Sequence, residues 1–279
     1  MSIDIREVEE DFDTRYVDYF GARSSFSGAA HVSRYLWVKK FVKNKKVLDA
    51  GCGSGYGANI LSKDARSIMG IDISKNAIEY SKIKYDRTNT IFMVKDMSEE
   101  GDIKERFDVI ISFDVLEHIK EPHKYLQELT KLLNEDGMLI IGTPNLEVNE
   151  LYNASWNPFH AKEYTSGEFK LLLSQYFNEI NVLGQYVVND RKKEAYLINV
   201  KAERGLAGVK KDYIKSMNAV KNLAKAVFPF WLKYAYKYIK VLWQTLIKSD
   251  KLFFLEDIGF SSKNVNGAFG LIAICKSKK

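Results

Sequence analysis

Four carboxylates stand at the ends of four short apolar segments, or directly after them. These acids are Asp49, Asp72, Asp96 and Asp114. The apolar segments are separated by helical patterns, which predicts parallel strands joined by helices. Because the carboxyl ends of such strands meet at one edge of an open sheet, beside the ligand crevice, the acids should lie near one another. Four acids on one edge favour a cationic ligand with several hydroxyl groups over a phosphorylated one.

A glycine-rich turn follows the first of these acids. Glycines occupy alternate positions from Gly51 to Gly57, between a strand that ends at Asp49 and a helical pattern that begins at Ala58. Glycine permits positive φ and lets a ligand approach the backbone closely. The spacing from Gly53 to Ala58 also satisfies the loose G-x-G-x-x-A pattern of dinucleotide sites. A carboxylate at Asp49 would nevertheless repel a pyrophosphate, so a phosphate-free cationic nucleoside is favoured while a dinucleotide stays open.

The segments around these residues carry a resemblance to a known family. They are Val47–Gly55, Gly70–Ser74, Asp108–His118 and Leu133–Asn145. Together they resemble the ordered motifs of class I methyltransferases that depend on S-adenosyl-L-methionine (SAM), and the resemblance spans residues 30 to 188. It implies an α/β fold, a doubly wound Rossmann-like sheet of seven mostly parallel strands, with a helical insertion before the last strand. It also implies SAM as the cofactor and a transferase activity.

The strand-end acids and the resemblance together predict the cofactor site. The residues predicted to bind the cofactor are Asp49, Gly51, Cys52, Gly53, Gly55, Tyr56, Asp72, Ile73, Asp96, Met97, Phe113, Asp114 and Arg34. Asp72 lies about twenty residues past the turn, where an acid can bind both ribose hydroxyls. Arg34 lies on a helix predicted over 29–42 and could bind the cofactor carboxylate in bidentate fashion. A surface ion pair is the alternative for Arg34.

Two histidines are candidates for removing a proton from a hydroxyl acceptor. His118 follows the fourth predicted strand, next to Glu117, and His160 lies in the loop region after the fifth. Either could act as a general base near neutral pH. His160 is slightly favoured, because acceptors bind on that side in this fold. No set of His, Asp and Glu has the sequence spacing of a metal site, so no metal is predicted.

Two shorter stretches suggest an acceptor. His31–Tyr35, and Asn157–His160 with Glu163 and Tyr164, resemble a bacterial subgroup associated with glycan and lipopolysaccharide biosynthesis. This resemblance implies O-methylation of a sugar hydroxyl in a nucleotide-linked or lipid-linked precursor. A small lipophilic acceptor such as a quinone precursor is the alternative among enzymes. A non-catalytic nucleotide-binding module and an NAD-dependent oxidoreductase are the alternatives from other classes.

The order of motifs predicts four parts of the chain. They are an N-terminal lead-in or lid (1–28), the SAM-binding core (29–188), a basic aromatic helical insertion (189–266) and the last core strand (267–279). Helices are predicted at 57–63, 74–85 and 122–133. The sixth strand is predicted at 179–188 and the seventh at 268–276.

Charge is concentrated in the insertion. The chain has 279 residues and a formal net charge of +6, and residues 210–251 contain ten lysines and two acids among several aromatic side chains. Such a segment could lie in a membrane interface, or form a helical cap with a solvated lysine face; nucleic-acid contact is a less favoured reading. With two cysteines and no signal peptide, we expect a cytoplasmic protein, with peripheral contact to the inner membrane face as a further hypothesis.

Overall fold

The computed structural model describes most of the core predicted from the sequence. Described residues are 26–97, 99, 101, 103–151, 159–188 and 258–279. The basic segment at 210–251 and nearly all of the lead-in at 1–28 therefore lie outside the described residues. In the part of the chain that is described, no helix is long and apolar enough to cross a membrane.

A single sheet forms the centre of the described residues. Its strands are β1 Lys46–Ala50, β2 Ser67–Asp72, β3 Thr90–Val94, β4 Phe107–Phe113, β5 Leu133–Pro144, β6 Phe177–Val187, β7 Ile258–Ser261 and β8 Gly270–Lys278. The spatial order is β3-β2-β1-β4-β5-β8-β6-β7. Strands β1 to β5 are parallel, whereas β8 is antiparallel to both β5 and β6, and β7 is antiparallel to β6.

The doubly wound α/β fold predicted from the sequence is confirmed. The strand predicted as the seventh is β8, which fits between β5 and β6. The additional strand β7 falls inside the range 189–266, which was predicted to be a helical insertion. It extends the sheet beyond β6, where Ile258 packs with Ala29 and Val187. Residues 189–257 lie outside the described part of the chain.

Helices cover both faces of the sheet. They are α1 Phe26–Val42, α2 Tyr56–Ser62, α3 Lys75–Lys84, α4 Pro122–Leu132, α5 Leu146–Leu151 and α6 Ser166–Leu173. Local sequence sets several of their beginnings. Pro122 lies in the first turn of α4, where its missing N–H costs no hydrogen bond. Thr165 and Glu168 form a reciprocal capping box at the start of α6.

The two hydrophobic layers meet at the central strand β4. Ile110 faces one layer and packs in the same cluster as Leu126 and Leu129 of α4. Its neighbours Val109 and Ile111 face the other layer, which contains residues of α1 and α2. Burial on both faces is typical of a central parallel strand and explains the continuous apolar run in its sequence.

The parallel register brings the ends of three strands to the same edge. Asp49 in β1 aligns with Gly70 in β2 on one side and with Ile111 in β4 on the other. The loops after β1, β2 and β4 therefore leave the sheet side by side. This edge is where an open α/β sheet binds its ligand.

Gly57 in α2 allows this helix to pack closely on α1. A Cβ at Gly57 would overlap the buried Tyr35 ring, whereas a Cβ at Gly167 in α6 would have no atom within 4 Å. We expect Gly57→Ala to lower the free energy of unfolding by about 1–3 kcal/mol, because the ring must be displaced. Gly167→Ala, the matched control, should leave it unchanged or raise it slightly, because Ala favours helix. Urea unfolding followed by circular dichroism measures both; equal stabilities would contradict the packing described.

Candidate active site

Asp49 is a buried carboxylate near the end of β1, with a relative exposure of 0%. Its Oδ1 accepts a hydrogen bond from the Tyr35 hydroxyl at 3.1 Å. Its Oδ2 is buried and has no hydrogen-bond partner among the described residues. Burial raises the pKa of Asp49 to about 7; the Tyr35 hydrogen bond acts against this increase and the charge of Asp72 adds to it. A buried oxygen without a partner is uncommon in proteins and here indicates a place for a donor or a cation.

Asp72, the last residue of β2, holds the glycine turn in place. Its Oδ2 accepts a hydrogen bond from the Gly53 backbone N–H at 2.9 Å, and its Oδ1 accepts one from Ser74 N–H at 2.8 Å. Gly53 has a φ of +54°, and a Cβ built on it would meet no atom within 4 Å. Backbone and carboxylate therefore lie side by side next to open space. Gly51 differs, because a Cβ there would overlap Val115.

Arg34 and Asp114 form an ion pair across the same edge. Arg34 Nη1 lies 2.6 Å from Asp114 Oδ1, and His31 Nδ1 lies 3.1 Å from Asp114 Oδ2. Burial opposes ionisation of Asp114, but the attraction of Arg34 and His31 outweighs it and lowers the pKa of this carboxyl. Arg34 is itself buried and lies over the Phe113 ring, 5.5 Å from its centroid.

This geometry changes the sequence-based view of Arg34. Arg34 does form an ion pair, and this pair is part-buried, with 9% of the Arg34 side chain and 24% of the Asp114 side chain exposed. The sequence showed His31 and Arg34 one turn apart on the helix, but it did not indicate that both face Asp114. Asp114 adopts a positive φ of 55°, a backbone conformation that side chains rarely take outside constrained sites. Contact of Arg34 with a cofactor carboxylate stays a prediction.

The two candidate histidines lie together, although the sequence places them in separate loops. The rings of His118 and His160 are 4.9 Å apart between centroids and nearly perpendicular. His118 follows β4 in a short 3₁₀ helix, Leu116–His118. The loop that contains His160 is attached there, because the Glu117 carbonyl accepts hydrogen bonds from Ala161 N–H at 2.6 Å and Lys162 N–H at 3.1 Å.

Glu117 completes what we call the EHH cluster, which consists of Glu117, His118 and His160. One potential ligand atom from each of the three residues lies within 4.8 Å of the other two. Glu117 is almost completely buried, and its Oε2 accepts a hydrogen bond from Thr143 Oγ1 at 3.1 Å. Burial, with the charge of Asp114 adding to it, raises the pKa of Glu117 to about 8. Sequence spacing did not indicate this convergence, because His160 belongs to a distant loop.

Both imidazoles have their Nδ1 atoms engaged. His118 Nδ1 lies 2.9 Å from the carbonyl oxygen of Phe159, and His160 Nδ1 lies 2.7 Å from Glu163 Oε1. Glu163 is buried and was outside the predicted set of site residues. Tyr164 beside it has a buried hydroxyl without a hydrogen-bond partner among the described residues, and burial raises its pKa to about 12.

Four further predicted residues differ in their surroundings. Ile73 directly follows Asp72 and is 70% exposed, so it offers an apolar surface beside that carboxylate. Tyr56 begins α2, and its ring lies 5.3 Å from the Tyr35 ring. In contrast, Met97 packs in the core, and Cys52 is buried, with its thiol pKa raised by burial.

Asp96 comes two residues after β3, and its backbone carbonyl accepts a hydrogen bond from Glu99 N–H at 3.2 Å. Gly55 has a φ of +81°, and a Cβ there would lie 2.7 Å from Ser81 Oγ. Packing against α3 therefore requires this glycine. For Asp96 and Gly55, as for the other predicted residues, contact with the cofactor stays a prediction.

The raised pKa of Asp49 predicts a pH-dependent loss of stability. A carboxyl with a higher pKa in the folded chain stabilises it fully below the unfolded pKa, and this contribution is lost as the pH rises to about 7. We compare the free energy of unfolding of Asp49→Asn with that of wild type at two pH values. The difference in favour of the variant should be about 2–3 kcal/mol larger at pH 8 than at pH 5, because the variant has no carboxyl group to ionise. Urea unfolding at both values tests this. The same advantage at both pH values would show that Asp49 is not a buried titrating group.

The comparisons with known proteins agree with this geometry. A family model described as a methyltransferase domain matches residues 41–203. A Mycobacterium tuberculosis protein named "probable S-adenosylmethionine-dependent methyltransferase" is 28% identical over 144 residues, which cover 51% of this chain and 52% of the relative. A ubiquinone biosynthesis O-methyltransferase of Pelagibacter ubique is 27% identical over 202 residues, covering 72% of this chain and 77% of the relative.

Solved structures with the same fold include a SAM-dependent methyltransferase of Thermotoga maritima. It has a TM-score of 0.58 and 14% identity, and the match covers 98% of this chain and 99% of that one. The chain spans about half the length of the mycobacterial relatives that it matches. Because the family model covers more than half of the chain and contains both the glycine turn and the strand-end acids, the chain belongs to the methyltransferase-domain family.

Proposed function

We propose that this protein is a SAM-dependent O-methyltransferase. The observation that carries the proposal is a pair of interacting carboxylates at the ends of neighbouring strands, Asp49 and Asp72, of which Asp72 accepts a hydrogen bond from the Gly53 backbone beside open space. Asp49 presents a buried oxygen without a partner among the described residues. A ligand with a positive charge and a hydroxylated ribose would complement both acids, and SAM has these features without any phosphate.

The residues present fit such a cofactor. Asp72 would accept hydrogen bonds from ribose hydroxyls, as acids at this position of a nucleotide-binding fold do. Ile73 would cover an apolar face of the base, and Asp49 would become ionised when a cation lies beside it. When bound, SAM supplies a methyl group that is activated by its positively charged sulfur. The family relationship to SAM-dependent proteins supports the same assignment.

The dinucleotide-dependent oxidoreductase is disfavoured by the same carboxylates. A pyrophosphate in this turn would lie near a buried acid, and repulsion would raise the cost of ionising Asp49 further. Loss of the charge would remove the repulsion but would not add a donor for the phosphates. A non-catalytic cofactor-binding module is disfavoured by the EHH cluster, since a binding module has no need for paired imidazoles near the crevice.

A hydroxyl acceptor accounts for the EHH cluster. Methyl transfer to a hydroxyl oxygen requires loss of its proton, whereas the protein otherwise has to align the reactants and exclude water. In neutral imidazoles, the Nδ1 contacts of His118 and His160 place the basic lone pair on Nε2. Glu117 adds a buried carboxyl group to the pair.

Two classes of acceptor follow from different observations. The proposal that the acceptor is a sugar hydroxyl in a surface-glycan or lipopolysaccharide precursor is based on the resemblance of the short stretches at 31–35 and 157–160. A phenolic acceptor such as a quinone precursor is supported by the Pelagibacter ubique relative, which covers most of both chains. For either acceptor, the basic segment at 210–251 would provide peripheral contact with anionic lipid if the precursor is lipid-linked.

The proposed cofactor site predicts that removing the charge of Asp72 weakens cofactor binding. We expect Asp72→Asn to weaken binding of S-adenosylhomocysteine about tenfold or more, because hydrogen bonds to a charged group contribute about 1.5–3 kcal/mol. Asp136→Asn, at an exposed position of β5, is the matched control and should bind like wild type. Isothermal titration calorimetry with S-adenosylhomocysteine and with NAD measures this. Binding of NAD alone would contradict the proposed cofactor.

The acceptor side predicts a loss of turnover without a loss of cofactor binding. His118→Ala and His160→Ala should each reduce methyl transfer about 100-fold or more, because positioned proton transfer contributes at least that much. Both variants should bind S-adenosylhomocysteine like wild type. His123→Ala is the control, since this exposed histidine contacts Tyr176 and does not belong to the cluster.

The assay should follow methyl transfer from SAM to a panel containing catechol-type phenols and nucleotide-linked hexoses. Methylation of a phenol only, or of a sugar only, decides between the two acceptor classes. Full turnover by both histidine variants on the accepted substrate would refute a role of the EHH cluster in proton removal.

A further inference from the structure

The EHH cluster has the composition of a metal site. We propose that Glu117, His118 and His160 bind a divalent transition-metal ion, with Mn²⁺ and Zn²⁺ as the best-suited ions. Two imidazoles and one carboxylate form a donor set that such ions prefer, and it leaves coordination positions open for water or a substrate oxygen.

The distances between the ligand atoms are close to those that an ion requires. One ligand atom of each residue lies within 4.8 Å of the other two. Two ligands bound at about 2.1 Å to one tetrahedral ion lie roughly 3.4 Å apart. Each pair of ligand atoms therefore has to approach by up to about 1.4 Å. His118 is exposed, so its side chain can make this movement at little cost.

The contacts of the two Nδ1 atoms are an independent indication. A carbonyl oxygen can only accept a hydrogen bond, so the 2.9 Å contact with Phe159 places the proton of a neutral His118 on Nδ1. The carboxylate of Glu163 does the same for His160 at 2.7 Å. Both contacts direct the lone pair to Nε2. Metal-binding histidines almost always donate their other N–H to a carbonyl or carboxylate in this way.

The backbone fixes the three residues relative to one another before any ion binds. Glu117 and His118 are adjacent, and the Glu117 carbonyl anchors the loop of His160 through the N–H groups of Ala161 and Lys162. The Thr143 hydroxyl donates to Oε2 of Glu117, which restrains its carboxyl group. A site that is organised in this way loses little conformational entropy on binding an ion.

The charges around the cluster favour a cation on balance. Asp114 is close enough to act electrostatically on Glu117 and His118, and Glu163 contacts His160 directly. Arg34 offsets part of this negative charge through its ion pair with Asp114. The remaining carboxyl groups of Glu117 and Glu163 are both buried, and a bound cation would compensate them where solvent cannot.

The part that the ion plays in catalysis rests on the proposed function, whereas its binding does not. At an open coordination position it would bind the acceptor hydroxyl and lower the pKa of its proton, as metal ions do for bound water. That proton then passes to solvent, and the ion is unchanged. With the ion bound, the histidines would hold it, and the ion would replace the direct removal of the proton by an imidazole that is described under the proposed function.

The test is a titration of the full chain with Mn²⁺, without SAM, using chelator-treated protein that carries no polyhistidine tag. Electron paramagnetic resonance reports the free ion. We expect saturable binding of one ion per chain with a micromolar Kd. His118→Ala, His160→Ala and Glu117→Gln should each weaken it about tenfold or more, and Glu163→Gln should weaken it about tenfold by loosening His160. His123→Ala should bind like wild type.

Circular dichroism establishes whether each variant is folded. If Glu117→Gln does not fold, Glu163→Gln still tests the proposal. A Kd weaker than about 1 mM for wild type, or unchanged binding in the His118 and His160 variants, would overturn the proposal. Calorimetry with S-adenosylhomocysteine separates this result from the proposed function. If S-adenosylhomocysteine binds and Mn²⁺ does not, only the metal site is refuted; the reverse result refutes only the cofactor.

Discussion

Helix α1 holds three strands of the sheet in place through polar side chains on neighbouring turns. Its Tyr35 hydroxyl donates to Asp49 of β1, and its Arg34 pairs with Asp114 after β4. Gln185 of β6 donates to the Ala30 carbonyl at 2.7 Å. Because each contact is buried or partly buried, a shift of α1 would leave polar groups without partners and would cost free energy in several places at once. The position of the acids at the sheet edge therefore depends on this helix.

The carboxyl groups at that edge have similar chemistry but different environments. Asp49 has one donor, the Tyr35 hydroxyl, and a raised pKa, whereas Asp114 has the Arg34 guanidinium and the His31 ring as partners and a lowered pKa. Glu117 is buried beside the charge of Asp114, so its pKa is raised as well. At this edge Asp114 is thus held in its charged form, whereas Asp49 and Glu117 would ionise more readily if a cation were bound beside them. This arrangement suits a positively charged cofactor on one side and a metal ion on the other.

The proposed reaction divides the site between two sets of loops. The glycine turn after β1 and Asp72, the last residue of β2, form the proposed cofactor side. The loop after β4 and the loop containing His160 form the acceptor side, and the Glu117 carbonyl joins them. A hydroxyl placed at the EHH cluster would be close to the cofactor side because these strands are neighbours in the sheet. Adjacent parallel strands are thus enough to bring two chemically distinct half-sites together.

The parallel core could be predicted from local signals in the sequence. Apolar runs punctuated by Asp and Gly are local signals, so strands β1 to β5 and the turn with Gly53 could be read directly, and Asp49 and Asp72 were predicted in the candidate cofactor site. Only the tertiary structure decided what depends on contacts between distant segments. Strand β7 pairs with the outer edge of β6, and Arg34 pairs with Asp114 because α1 packs against the end of β4. The EHH cluster exists because one carbonyl anchors a distant loop, and no spacing in the sequence encodes that contact.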